Sequence, residues 1–168
     1  MRILALLIAC STGGCVIASE HVSTELRAVC TDDVPLPFQQ AAPRRAVAEI
    51  QVEDVGASIE STDAHATLRE VTLAAASGID DFAFAESMAM DLVAPERDAA
   101  RVAELAPVPA PSPLVAAGDP EIDLVDYLTA ERLLVRVTIT GDVPERPFAA
   151  AMSACIDVEG IVVEGQED

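Results

Sequence analysis

The sequence predicts a mainly β protein: an antiparallel β-sandwich of immunoglobulin-like architecture with one short helix and a Pro-rich crossover loop. Three observations predict it. Apolar and polar residues alternate with a period of two in segment after segment. Gly, Pro and Asp punctuate the ends of those segments. Aromatic residues are few (Phe38, Phe82, Phe84, Tyr127 and Phe148), which points to an aliphatic, Ala-rich core.

Ala46 to Asp54 places Ala46, Ala48, Ile50 and Val52 on one side and Glu49, Gln51 and Glu53 on the other, the pattern of a half-buried strand. Leu68 to Ala75 is a second strand, with Val71, Leu73 and Ala75 inward, and Ser77-Gly78 turns the chain. In Ser87 to Val93, Met88, Met90 and Leu92 share a face opposite Ser87, Ala89 and Asp91. Glu96 to Leu105 reads equally as helix or strand. Pro107, Pro109, Pro111 and Pro113 alternate, which favours extended polyproline II and a stiff loop crossing between sheets. Asp119-Pro120 suits an N-cap followed by Pro at the first helical position. Ile122, Val125, Tyr127 and Leu128 then give one short helix to about Ala130. Leu133 to Thr140 is the clearest strand: Leu133, Val135, Val137 and Ile139 lie inward, and Gly141-Asp142 closes it. Ala149 to Val158 puts Ala150, Met152, Ala154, Ile156 and Val158 on one face, and Ile161 to Glu164 adds a last short strand.

The N-terminus is laid out differently. Arg2 precedes an apolar run, Ile3 to Ala9, and then Ser11-Thr12-Gly13-Gly14 leads to Cys15. This is the plan of an export signal, and the apolar run is far short of the roughly twenty residues that span a bilayer as a helix. Lipoprotein signals end on a Cys to be acylated. Thr12-Gly13-Gly14-Cys15 has the better length, whereas Leu7-Ile8-Ala9-Cys10 has the better residues. Cleavage after Ala18 would give a soluble, secreted product. Cysteine arithmetic favours Cys15. With Cys15 acylated and Cys10 removed, Cys30 and Cys155 remain as an even pair for a disulfide in an oxidising compartment. Val16, and not Asp, follows the anchor, which points to the outer membrane. The expected division is a signal peptide over 1–14, a lipid-anchored tether over 15–43 and a β-sandwich domain over 44–168. Thr31-Asp32-Asp33, Pro35, Pro37 and Pro43 argue against a regular element in the tether.

The 168 residues carry 10 basic and 29 acidic side chains, for a net charge of −19, with no Lys and no Asn. Nucleic acid is excluded as a partner, because phosphate would be repelled. A polybasic hold on anionic lipid is excluded too, so a membrane hold comes from the acyl chains. Without Asn there is no glycosylation sequon.

Taken in order, VTL, SGIDDFAFAESMAMDL, a Pro-rich crossing, IDLVDYL, LLVRVTITGDVP and ACIDV resemble the β-sandwich domains of uncharacterised bacterial lipoproteins of myxobacterial type, over about residues 46 to 160. The resemblance implies a β-sandwich fold and a cell-envelope location, and it carries no activity with it.

Residues for chemistry are sparse. Asp119, Glu121, Asp123 and Asp126 crowd together as weak calcium candidates, but calcium needs six to eight converging oxygens and the EF-hand pattern is missing. Acids at the start of a helix that favour its dipole explain them as well. His21 falls in the tether and His65 in a polar turn, with no close-spaced His or Cys to complete a metal site. No zinc-protease motif, nucleophile elbow, phosphate loop or dinucleotide fingerprint is present. The expected function is therefore non-enzymatic: an envelope protein that presents its β-sandwich for a structural or protein-interaction role, with no cofactor. The alternative is a periplasmic or secreted module that binds a small molecule or ion.

Overall fold

A computed structural model describes residues 23–24, 27–31, 33–52, 64–95, 97–109, 112–130, 132–159 and 161–162. The signal segment 1–14, Cys10, Cys15, the cleavage position after Ala18 and His21 lie outside the described residues. The described chain is mainly β. Its strands are β1 (Ser23–Thr24), β2 (Arg27–Cys30), β3 (Val34–Ala42), β4 (Arg45–Val52), β5 (His65–Ser77), β6 (Ala85–Val93), β7 (Ala100–Leu105), β8 (Leu114–Ala117), β9 (Leu133–Gly141), β10 (Phe148–Glu159) and β11 (Ile161–Val162). One minimal helix, α1 (Val125–Leu128), lies between β8 and β9.

The predicted strands form where alternation placed them, and their inward residues are the core. Ala46, Ala48, Val71, Leu73, Met88, Met90, Leu92, Val135, Val137 and Ile139 are all buried. In β5 the alternation slips once. Leu68 pairs with Ile156 and Glu70 with Cys155, a β-bulge at Arg69 that turns both Leu68 and Val71 inward. Residues 100–105, ambiguous in sequence, form a strand. β8 directly follows the Pro-rich crossing and had no sequence signal of its own.

Two differences from expectation matter for function. The first is β3. Residues 34–42 were expected in a tether, yet they form a strand inside the sheet. Leu36 and Phe38 are completely buried, while Pro35 and Pro37 point outward. Alternate residues direct their backbone groups to the same edge, so the two missing N–H donors fall on one side of the strand. Among the described residues, 34–38 pair only with β10, at Val34–Met152, Leu36–Ala150 and Phe38–Phe148. Pairing with β4 begins at Gln39–Val47. Over its first half β3 thus has a free edge where absent donors cost no ladder bond.

The second difference is the architecture. An immunoglobulin-like sandwich has two sheets face to face. Here β3 joins both halves, and the main sheet has nine antiparallel strands in the order β7-β6-β9-β4-β3-β10-β5-β8, with β2 lying along β10 in line with β3. β1 and β11 pair separately. The path then nearly closes on itself. Ala103 of β7 bridges Gly118, just past β8, and the Asp119 N–H donates to the Val102 carbonyl at 2.8 Å. Bulges in the β10–β5, β3–β4, β6–β7 and β6–β9 pairings supply the bends that a barrel-like sheet needs.

The interior is filled unevenly. Phe38 stacks on Phe148 at 4.9 Å, and Phe84 meets Phe148 edge-on at 5.4 Å. These rings sit where β10 begins and β9 ends. They plug that end of the sheet, and no phenylalanine fills the opposite end.

Gly118 lets the chain at the end of β8 lie hard against β5. A Cβ there would lie 1.9 Å from the Leu68 carbonyl oxygen and 2.7 Å from the Leu68 Cβ, and the obstacle is backbone that cannot swing away. Gly118→Ala is expected to cost about 3 kcal/mol of stability as an overpacking change, read as a lowered Tm in thermal unfolding. An unchanged Tm would show that the close approach of Gly118 to β5 does not matter to the fold.

Candidate functional site

The unplugged end of the sheet is a cavity of about 650 Å³. Its walls come from the inward faces of opposed strands: Leu133 and Val135 of β9, Met90 and Leu92 of β6, and Met152, Ala154 and Ile156 of β10. Ile50 and Val52 of β4 and Val34 of β3 line it across the β3–β4 gap, and Leu124 and Leu128 bring in the segment of α1. Pro35 and Gln51 point outward from their strands and still line the cavity, so it reaches the surface through the gap between β3 and β4. Thr31 and Gln51 are the only polar side chains of the lining among the described residues, and none is charged.

Two devices hold the walls. On one side, Cys30 and Cys155 face each other across β2 and β10 and are bonded, as the cysteine count predicted. Their separation in sequence is 125 residues. Closing a loop of that size gives on the order of 5 kcal/mol in the chain-entropy model, an upper figure. The bond holds β2 against β10, and with it Val29, an exposed apolar residue of the lining. Next to the bond, the Thr31 N–H donates to the Ala154 carbonyl at 2.9 Å. The Ala154 N–H donates in turn to the Thr31 hydroxyl at 3.0 Å.

On the other side, Asp123 ties the α1 segment to the start of β5. One carboxylate oxygen accepts the Val125 N–H at 3.0 Å and the Ala66 N–H at 3.2 Å. The other lies 2.7 Å from Nδ1 of His65, and the Leu124 N–H donates to the Ala66 carbonyl at 2.7 Å. Partial burial disfavours the Asp123 carboxylate, but the Val125 and Ala66 N–H groups and the His65 ring outweigh it, so its pKa lies below the usual carboxylate value. The helix is shorter than predicted and starts later. Leu124 is its N-cap, without a side-chain cap bond, and Asp123 supplies the acceptor that was expected of Asp119. Asp119 instead accepts the Glu121 N–H at 2.9 Å in a turn.

The calcium candidates therefore part company. Asp119 serves its turn, Asp123 the helix and β5, and Asp126 accepts from Arg97 at 2.6 Å. Among the described residues no group of three or more His, Cys, Asp or Glu side chains is placed to hold a metal ion. His65 opens β5 and does not sit in a turn. A second hollow of about 520 Å³ lies against the outer ends of β3 and β4. It is open and mixes polar with apolar residues, and Arg136, one of its cations, already donates to Glu49 at 2.6 Å.

The apolar cavity escaped the sequence reading because half of its mouth, from Val29 to Pro35, lay in the supposed tether. One signal was available. Val34, Leu36 and Phe38 alternate with Pro35 and Pro37, the period of a strand whose prolines face out. No family model and no curated protein matches the chain.

Asp123 gives a pH-dependent test. Its folded pKa is depressed, so its contribution is present above the unfolded carboxylate value and is lost as pH falls through the folded one. Asp123→Ala is expected to cost about 1 kcal/mol at pH 7, as loss of a cap does. The gap to the parent protein should narrow below about pH 4, measured by urea unfolding across pH. A gap that does not change with pH would show that the charge of Asp123 holds nothing.

Proposed function

We propose that this chain is an exported, non-enzymatic protein of the cell envelope, anchored through acylated Cys15, that binds a small apolar ligand in the open end of its barrel-like sheet. One observation carries the reading: an uncharged, aliphatic cavity of about 650 Å³ that opens between β3 and β4. Ligand sites are commonly clefts of roughly 300–1,000 Å³ with mostly apolar walls and a few polar groups. Such a lining binds by taking apolar surface out of water.

The disulfide is compatible with an oxidising exported compartment. No helix among the described residues is long and apolar enough to cross a membrane. The sequence favoured an outer surface presented to protein partners, and the fold gives that reading less support. Val29 and Val115 are the exposed large hydrophobic residues of the described chain, and Val29 belongs to the cavity. Single exposed apolar residues do not make a docking patch.

A neutral fluorescent probe, N-phenyl-1-naphthylamine, is expected to bind the full chain saturably at one site. Ala154→Phe, which puts a ring into the cavity, should abolish that binding while the variant keeps its cooperative thermal transition. Non-saturable binding, or equal binding by the variant, would sink the proposal. The anchor has its own test. The intact mass of membrane-extracted protein should equal the chain from Cys15 plus diacylglycerol and acyl groups, and Cys15→Ser but not Cys10→Ser should remove that addition. A soluble product starting at Ser19 would replace the anchor with secretion.

A further inference from the structure

We infer that the open end of the sheet is held toward the bilayer that carries the acylated Cys15, and that the cavity draws its ligand, one acyl chain of a membrane lipid, directly from that bilayer. This deepens the reading above and rests on it.

The topology puts the anchor and the mouth at the same end. β10 runs from the phenylalanine plug at Phe148 to Glu159, and toward its far end Ile156 joins the cavity lining. β11 follows β10 after one residue, and β1 pairs with it at Ser23–Val162 and Thr24–Ile161. β2 starts beside the same end, with Arg27 opposite Val158. β5 also starts there, with His65 opposite Glu159. The chain that leads from Cys15 therefore enters the body at the open end.

The length of that lead sets the orientation. Ser23 follows Cys15 by eight residues, which reach at most about 29 Å when fully extended. β10 has 12 residues, a strand of roughly 37 Å. Even stretched, the lead is shorter than the strand it would have to pass, so the anchor keeps the open end, and not the plug, near the membrane. Val29, exposed and apolar, stands at the rim on this side.

The cavity suits what a bilayer offers. Its walls are branched aliphatic side chains and the thioethers of Met90 and Met152. Methionine adapts to irregular apolar shapes, as a chain with many rotamers requires. The volume of about 650 Å³ is that of a small-ligand site, which suits one chain with the rest of the lipid left outside. The gap between β3 and β4, with Val34 and Pro35 on one side and Ile50 and Val52 on the other, lets a chain slide in lengthwise while its head stays at the bilayer surface. A chain that crosses water exposes every methylene at a cost. A mouth tethered at the bilayer removes that step and raises the local concentration of lipid.

The test is photolabelling of the full anchored chain in phosphatidylcholine vesicles whose lipid carries an aliphatic diazirine near the end of one acyl chain. Phosphatidylcholine has no net charge, so the −19 of the protein does not decide the outcome. Adducts located by peptide mass spectrometry should fall on Met90, Leu133 and Met152, which are buried in the cavity wall. Cys15→Ser, given the same vesicles, should be labelled there roughly tenfold less. A variant with about twenty Gly and Ser residues inserted between Glu20 and His21, a flexible lead, should keep its acyl mass and its Tm and lose about two thirds of the labelling. Equal labelling of the three chains, or adducts confined to residues outside the cavity, would overturn the inference. Binding of N-phenyl-1-naphthylamine by Cys15→Ser reads the cavity alone and intact mass reads the anchor alone, so failure here is distinct from failure of the function proposed above.

Discussion

The fold and its cavity both depend on the divided pairing of β3. Its first half pairs with β10 and its second half with β4, and the change falls where Pro35 and Pro37 stop removing donors from one edge. Full pairing with β4 along its length would zip the gap shut. Without pairing to β4 at all, the two halves of the sheet would be separate. The partial pairing keeps the sheet continuous while leaving a slot on one side of it.

A slot of this kind exposes apolar surface and survives only if its walls are held by other means. The aromatic plug gives the closed end a dense core, since large rings bury the most apolar area per residue. Gly118 permits the close approach of the end of β8 to Leu68 of β5, and its bridge to Ala103 of β7 draws the far edges of the sheet together. The disulfide fixes β2 beside the slot, and Asp123 fixes the segment that carries Leu124 and Leu128. An Ala-rich chain has less apolar area to bury than one rich in Leu and Phe. A covalent tie is a fitting supplement in a protein that also leaves part of its interior unfilled.

The outer face shows what the strong acidity leaves over. Glu49 and Arg136 are paired across β4 and β9, Arg136 and Asp91 across β9 and β6, and Asp91 and Arg101 across β6 and β7. This row alternates in sign across four neighbouring strands, and Arg44 likewise joins Glu86 and Asp142 beside the β3–β4 turn. Each exposed pair contributes little to stability. Together they engage three of the ten arginines, and the 29 acids set the sign of the field around the protein.

The sequence by itself determined the β class, the faces of the regular strands, the turn at Ser77-Gly78 and the pairing of Cys30 with Cys155. Each of these rests on local information: a period of two, a residue able to take positive φ, or two cysteines left as a pair in the body of the sequence. It also located a short helix within 120–130, though not its start or its cap, because several acids within reach compete to accept the same N–H groups. Tertiary structure alone decided three things. Val34 to Phe38 became a strand because a free edge tolerates prolines, and no local rule says which edge is free. The strands curled into one nearly closed sheet because β3 is shared and β7 bridges the chain just past β8. The cavity exists because the phenylalanines, scattered in sequence, gather at one end of the sheet and leave the other to aliphatic side chains.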